Sequence, residues 1–348
     1  MTFNSTIQSL AVKMPSTHYP NTVPPYSEIP NIPKNWWRFW GIKGRYLIDR
    51  AKGETAEKLA VEACSEAISL AGINPTQIDA ILCNSTCLSG WSEQESKAFP
   101  RFANQIKQRL GCTNALAIDV EQECITFLVS LQIAHNYIKA GIYKNILVCS
   151  AEYISGVLDF SDLSSTTFGD GTAAAIVSAT SQESDLLSSS YLSNADFYDL
   201  ALLKWKNPEN KSAAELTAQD YWSYFTLKKD APEEMQKFVP TGVPHVINQA
   251  LEKASVNSSD IDYYVFHQPS KILVNLWANA LGVDDDKFML TLEHYGCMVS
   301  VSMPVTLFEA VKQGKIKAGN TIVIGGAATG WGFGAQVWKL GDIKISMN

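Results

Sequence analysis

The sequence predicts a mixed α/β protein assembled from two related halves, and three echoes along the chain carry that reading. Ala71-Gly-Ile-Asn-Pro-Thr-Gln-Ile-Asp-Ala-Ile-Leu82 returns as Ala254-Ser-Val-Asn-Ser-Ser-Asp-Ile-Asp-Tyr-Tyr-Val265, with Ala71/Ala254, Asn74/Asn257, Ile78/Ile261 and Asp79/Asp262 in one constant register. Downstream, Ile138-Lys-Ala-Gly141 followed by Asn145-Ile-Leu-Val-Cys149 is matched by Val311-Lys-Gln-Gly314 followed by Thr321-Ile-Val-Ile-Gly325. Each half then closes on a Gly-x-Gly turn and an alternating strand, Phe168-Gly-Asp-Gly-Thr-Ala-Ala-Ala-Ile-Val177 and Trp331-Gly-Phe-Gly-Ala-Gln-Val-Trp338. Short apolar runs alternating with helical patterns point to sheets covered by helices. The repeat is too long for a solenoid, so it reads as internal duplication.

The elements follow in order. Residues 1–180 form the first half, in which a strand-like run Ala115-Leu-Ala-Ile-Asp-Val120 gives way to an amphipathic helix from Ile125 to about Ala140. Residues 181–240 are polar and irregular, with Asn207-Pro-Glu-Asn210 and Lys228-Lys-Asp-Ala-Pro-Glu, and are expected to be a connector and surface excursion. Residues 241–348 form the second half.

Composition narrows the function. A chain of 348 residues with 46% hydrophobic content can bury a large core. A net charge of -7 and the absence of a dense Lys/Arg face argue against a nucleic-acid partner, though a local basic patch for one phosphorylated cofactor remains compatible. Seven cysteines without close pairing motifs suit reduced thiols in a cytoplasmic enzyme. Cys83 and Cys87 lack a matching second pair, so no metal site is expected. The N-terminus has no basic stretch leading into an apolar one, and no apolar run approaches the length of a membrane span, so neither export nor membrane insertion is expected.

Cys124 is the leading candidate nucleophile. It sits where strand meets helix, and unsatisfied N–H groups with the positive end of the helix dipole favour thiolate there. The alternative is a small buried hydrophobe. Carrying the register that relates Lys139 to Lys312 and Gly141 to Gly314 back along the helix sets Cys124 opposite Cys297. His267, in Val265-Phe-His-Gln-Pro269, follows the duplicated strand, at the strand end where α/β sheets place chemistry. It can act as a base, donate to an oxyanion, or be structural. His18, His135, His245 and His294 carry no such signal.

Four ordered motifs, Asp119-Val-x3-Cys124, Phe168-Gly-Asp-Gly171, His267-Gln268 and Gly325-Gly-Ala-Ala-Thr-Gly-Trp-Gly-Phe-Gly334, resemble those of thiolase-fold condensing enzymes of the ketoacyl-ACP synthase III type. The likeness runs from Ile7-Gln-Ser-Leu-Ala-Val-Lys-Met-Pro15 and Gly41-Ile-Lys-Gly-Arg45 to Trp338. It implies a five-layered α-β-α-β-α sandwich and a homodimer. It also implies a covalent mechanism in which Cys124 takes an acyl group from an acyl-CoA or acyl carrier protein thioester and passes it on. CoA or phosphopantetheine is then a substrate carrier, with no permanently bound cofactor. The amide of Cys124 and one from the Thr329-Gly330 turn would form the oxyanion hole, although Ala328-Thr329-Gly330 departs from the family's run of glycines.

The resemblance also marks departures. The family's catalytic asparagine falls at Cys297, in Tyr295-Gly296-Cys297, and a thiol is a much weaker donor than an amide. Decarboxylative condensation is therefore disfavoured. Cys297 admits three readings: a neutral substitute in an enzyme that acylates an O, N or preformed carbon nucleophile, an acid/base, or an inert residue of a silent partner subunit. Glu123, beside the nucleophile, would raise its pKa unless the carboxylate turns away. Trp36, Trp37 and Trp40 with Arg38, Lys43 and Arg45 fall where the family binds CoA, and Lys271 falls near its basic residue for the carrier, with Ile272 at the strict match. The alternative for the first group is a surface aromatic cluster. Trp91 falls within one residue of a family phenylalanine that reaches into the acyl pocket of the partner subunit, which implies a restricted acyl tunnel.

Overall fold

The structure, a computed structural model, describes residues 3–85, 101–206, 211–212, 214–215 and 222–346. Trp91 and Cys87 lie outside the described residues. The first half contributes β1 (Asn4–Lys13), β2 (Thr17–Pro20), α1 (Trp36–Trp40), β3 (Gly44–Leu47), α2 (Ala56–Ala71), β4 (Ala80–Ser85), α3 (Phe102–Leu110), β5 (Leu116–Asp119), α4 (Thr126–Lys139), β6 (Asn145–Glu152) and β7 (Gly171–Thr180). After it come β8 (Asp185–Ser193), β9 (Ala201–Lys206), β10 (Trp222–Leu227), α5 (Ala231–Ala254), β11 (Tyr263–Phe266), α6 (Lys271–Leu281), α7 (Leu292–Tyr295), α8 (Ser302–Lys312), β12 (Thr321–Ala328), β13 (Gly332–Lys339) and β14 (Lys344–Ile345).

Two main sheets organise these elements, in the orders β14-β1-β7-β6-β4-β5 and β11-β12-β13-β8. The run β1-β7-β6-β4 is repeated by β8-β13-β12-β11, with the same parallel and antiparallel pairings. Apolar side chains of α4 and α8 (Leu128, Leu131, Met303, Leu307) fill the space between the sheets. The opposite face of the first sheet packs on α2 and α3, and that of the second on α5 and α6. The result is the five-layered thiolase fold. Because helices cover both faces, β7 and β13 are buried along nearly their whole length rather than alternating.

The duplication is visible in single hydrogen bonds. Asp79 N–H donates to Asn145 O at 2.9 Å, and its Oδ2 accepts from Lys144 N and Asn145 N at 2.7 and 2.9 Å. Its counterpart Asp262 N–H donates to Thr321 O at 2.9 Å, and Oδ2 accepts from Thr321 N at 2.7 Å. Each aspartate thus clips the start of one parallel strand to the next. Ile78 and Ile261, both fully buried, anchor the same turn, and each contributes about 1.5–3 kcal/mol by burial. Even the helix terminator is kept: Gly72 ends α2 at φ 69, and Ser255 ends α5 at φ 54 without glycine's freedom.

Three expectations need correction. The stretch 181–240 is not a mere connector, since β8 lies within it and is a full member of the second sheet, paired with β13. It also contains the start of α5, which runs through Pro240 and Pro244; these prolines disguised a continuous helix. Conversely, β14 of the second half joins the edge of the first sheet beside β1. The third correction concerns the register that sets Cys124 opposite Cys297. The turn before α4 and the turn before α8 both carry a left-handed residue, Glu123 at φ 43 and Val299 at φ 45. Gln122 N–H donates to Thr126 Oγ1 at 2.7 Å, as Met298 N–H does to Ser302 Oγ at 2.9 Å. Glu123 therefore matches Val299 and Thr126 matches Ser302, and in that register the counterpart of Cys124 is Ser300. The register that pairs Lys139 with Lys312 holds only at the far end, because α4 has 14 residues and α8 has 11.

Candidate active site

Cys124 occupies the 3-10 turn Glu123–Ile125 that leads into α4. The left-handed Glu123 sharpens this turn and delivers the cysteine toward the second half of the molecule. Cys124 is 9% exposed, and its sulfur faces the backbone N–H of Thr329. Burial holds the thiol well above its ordinary pKa, and Cys297, Glu152 and Glu123 push it further. The expected thiolate is therefore not the resting form: desolvation outweighs the helix start.

His267 directly follows β11, and its backbone N–H donates to Gly325 O at 2.9 Å. The residue is 2% exposed, and its Nδ1 has no hydrogen-bond partner among the described residues. Burial lowers its pKa to about 3, so the imidazole is neutral at physiological pH. The close approach of β12 requires Gly326, where a Cβ would lie 2.5 Å from His267 Cβ.

Cys297 Sγ lies 3.9 Å from His267 Nε2. The Phe168-Gly-Asp-Gly motif holds it there. Cys297 N–H donates to Thr167 O at 2.8 Å, and Gly169 N–H donates back to Cys297 O at 3.1 Å. A Cβ on Gly169 would come within 2.2 Å of Tyr295 O, and Gly296 sits at φ 66. Asp170, fully buried, accepts from Ile48 N, Ser155 N and Ser155 Oγ, tying the motif to the segments that follow β3 and β6. Burial lifts the Cys297 thiol to about 11, against N–H and O–H groups of Val299 and Ser302 that favour its ionisation.

Thr329 and Gly330 form the tip between β12 and β13, with Gly330 at φ 91. Glu123 bends toward this tip, its Oε2 3.9 Å from where a Gly330 Cβ would stand and 3.5 Å from Gln122 Nε2. It does not turn away from the site, since its charge adds to the shift at Cys124. Gln268 is buried and bonds Phe266 O and Met289 O through Nε2, while Oε1 accepts from Thr291 N. It braces His267 against the segment leading to α7.

The carrier-binding candidates separate. Trp36 and Trp40 pack ring against ring in α1, with Trp36 Nε1 donating to Thr166 Oγ1 at 2.7 Å. The end of α1 abuts the start of α6, so Gly41 meets the Lys271 side chain and places Lys271 beside the tryptophans. Arg38 and Lys271 are exposed, whereas Lys43 is paired with Glu293. The Arg45 guanidinium lies 5.3 Å from the centre of the Trp37 ring. Arg45 is excluded as a phosphate contact, being 0% exposed, stacked 3.7 Å over Tyr26 and bonded to Asn21 Oδ1 and Thr166 O.

Three polar residues escape the sequence reading: Asn84, Glu152 and Ser300, all sealed behind the two turns. The repeat held the signal for one of them, because the register that aligns Asp79 with Asp262 also aligns Asn84 with His267.

Duplicated βα halves around a buried cysteine and histidine, one from each half, define a thiolase-fold condensing-enzyme site. Sequence models of 3-oxoacyl-[acyl-carrier-protein (ACP)] synthase III match residues 118–195 and, for its C-terminal part, 251–340. The 2-heptyl-4(1H)-quinolone synthase subunit PqsC of Pseudomonas aeruginosa is 37% identical over 97% of this chain and 98% of its own length. The beta-ketoacyl-[acyl-carrier-protein] synthase III of Aquifex aeolicus is 30% identical over 84% of this chain and 86% of its own. A crystal structure of 3-oxoacyl-[acyl-carrier-protein] synthase III from Aquifex aeolicus aligns with a TM-score of 0.82 at 27% identity, covering 96% of this chain and 99% of that one. The chain belongs to the ketoacyl-ACP synthase III family.

Proposed function

We propose that this protein is an acyltransferase that takes an acyl group from a CoA or carrier-protein thioester onto Cys124 and passes it to a nucleophile that arrives already formed. In the first step His267 Nε2 removes the Cys124 proton as sulfur attacks the thioester carbonyl. The oxyanion is met by the amides of Cys124 and of the Thr329-Gly330 tip, and the carrier thiol departs with the proton from His267. In the second step the neutral imidazole deprotonates the acceptor, which attacks the acyl carbon, and Cys124 leaves as thiol. The tryptophans of α1 with Arg38 and Lys271 suit the carrier's phosphate-bearing end.

The carrying observation is Cys297 beside His267 at 3.9 Å. A neutral thiol there offers one weak donor where malonyl decarboxylation calls for a strong one, and losing such a donor costs on the order of 10²–10³ in rate. The relative described as a quinolone synthase subunit favours a specialised-metabolite acceptor and work within an assembly of subunits. The alternative, a silent partner subunit, leaves the joint presence of Cys124 and His267 in one buried site without a use.

The test acylates the protein and then supplies malonyl thioester, with carbon dioxide and 3-oxo product measured. The wild type is expected to release little, and Cys297→Asn to release at least tenfold more, because it restores an amide donor. Equal release from the two proteins contradicts the reading of Cys297.

A further inference from the structure

Arg45 is a buried cation for which the proposed chemistry has no task. It is 0% exposed, and its guanidinium lies 3.7 Å from the centre of the Tyr26 ring and 5.3 Å from that of Trp37. Both of its hydrogen bonds end on neutral oxygens: Nη1 donates to Asn21 Oδ1 at 2.6 Å, and Nη2 donates to Thr166 O. Nε has no partner among the described residues. Taking a guanidinium out of water for neutral partners is costly, and an apolar side chain of similar volume avoids that cost.

The two ends of the side chain show a use for it. The Arg45 stem packs on Gly169, where an added Cβ would stand 3.0 Å from Arg45 Cβ, and the head holds Thr166 O. Between these two points the chain makes both backbone bonds that seat Cys297. Thr167 O accepts from Cys297 N–H at 2.8 Å, and Gly169 N–H donates to Cys297 O at 3.1 Å. Thr166 is also where α1 attaches, since Trp36 Nε1 donates to its Oγ1 at 2.7 Å and that hydroxyl donates to Leu163 O at 2.5 Å. Asn21, the other anchor, is itself tied to the segment after α1: its Nδ2 donates to Ile42 O at 2.7 Å and its N–H to Lys43 O at 3.1 Å. One side chain therefore joins the tryptophan helix to the seat of Cys297. A lysine could not do so, because an ammonium does not reproduce the guanidinium fork.

We propose that Arg45 is a positioning residue that locks the seat of Cys297 to α1, so that a carrier held at α1 steadies Cys297 beside His267. This deepens the reading of α1 with Arg38 and Lys271 as the carrier's binding wall, and rests on that reading for the carrier's part alone. The lock itself is measurable in the protein without any substrate.

The test is amide hydrogen exchange by mass spectrometry on the full chain, following a peptide that spans Cys297, one that spans Trp36 and a reference peptide from α5. In Arg45→Lys the Cys297 peptide is expected to exchange about tenfold faster than in the wild type while the α5 peptide keeps its rate, as local rather than global opening requires. Asn21→Ala removes one anchor only and is expected to speed the same peptide about threefold, which keeps the test open should the lysine variant not fold. Saturating CoA is expected to slow the Cys297 peptide of the wild type and not that of Arg45→Lys, while protecting the Trp36 peptide in both. Wild-type exchange at Cys297 in the variants, equal acceleration of the Cys297 and α5 peptides, or CoA protection at Cys297 that survives Arg45→Lys overturns the proposal. CoA protection absent even from the Trp36 peptide contradicts α1 as the carrier's wall instead, and the comparison without CoA still decides the role of Arg45.

Discussion

At the scale of single residues, the proposed acyl transfer starts from two neutral groups. Burial pushes the Cys124 thiol up and the His267 imidazole down to about 3, so neither is charged at rest. For His267 a depressed folded value keeps the ring a free base at neutral pH, and because the unfolded chain binds the proton first, stability is lost as the pH falls from about 6.5 toward about 3. Acylation at saturating thioester is therefore expected to proceed at a nearly constant rate from about pH 8 down to about pH 5.5, measured by quench and mass analysis. A fall centred near about 6.5 would show an ordinary, solvated histidine instead. Cys124 and His267 were legible in the sequence because each ends or begins an element of recognisable pattern. The resting state of the thiol was not. Its protonation depends first on burial between the two halves, then on Cys297, which belongs to the other half of the chain, and on Glu152, at the end of β6.

At the scale of elements, the Gly-Asp-Gly stretch before β7 does for Cys297 what the turn before α4 does for Cys124. Gly169 admits Tyr295 O, Gly296 in turn admits Thr167 O, and Asp170 pins the stretch to the segments beyond β3 and β6. Replacing Asp170 with alanine orphans two buried N–H groups and the Ser155 hydroxyl. The expected loss is about 3–5 kcal/mol of unfolding free energy by denaturant titration. Retention of stability within about 1 kcal/mol would mean that water or neighbouring groups replace the carboxylate. The motif itself was readable, but its partners were not, since the bond to Ile48 reaches back to the segment after β3. Likewise β8 was hidden in a polar stretch, because a strand such as Asp185–Ser193 with serines through its middle carries little apolar periodicity.

At the scale of the whole molecule, duplication supplies both the fold and the site. Two copies of one strand and helix order, facing across the layer of α4 and α8, bring a helix start from one half to a strand end of the other. One crossing became Cys124 with His267, and the other became Ser300 with Asn84. The repeat was legible in the constant register of Asp79 with Asp262, but no single register could be carried through the helices, because α8 has 11 residues where α4 has 14. A chain that kept only the scaffold would not need a reactive thiol at the first crossing. The most direct measurement is intact-mass analysis after incubation with a panel of acyl-CoA and acyl carrier protein thioesters. One acyl adduct per chain is expected in the wild type and none in Cys124→Ala; an adduct that persists in Cys124→Ala, or no adduct from any thioester, would contradict Cys124 as the acyl-accepting nucleophile.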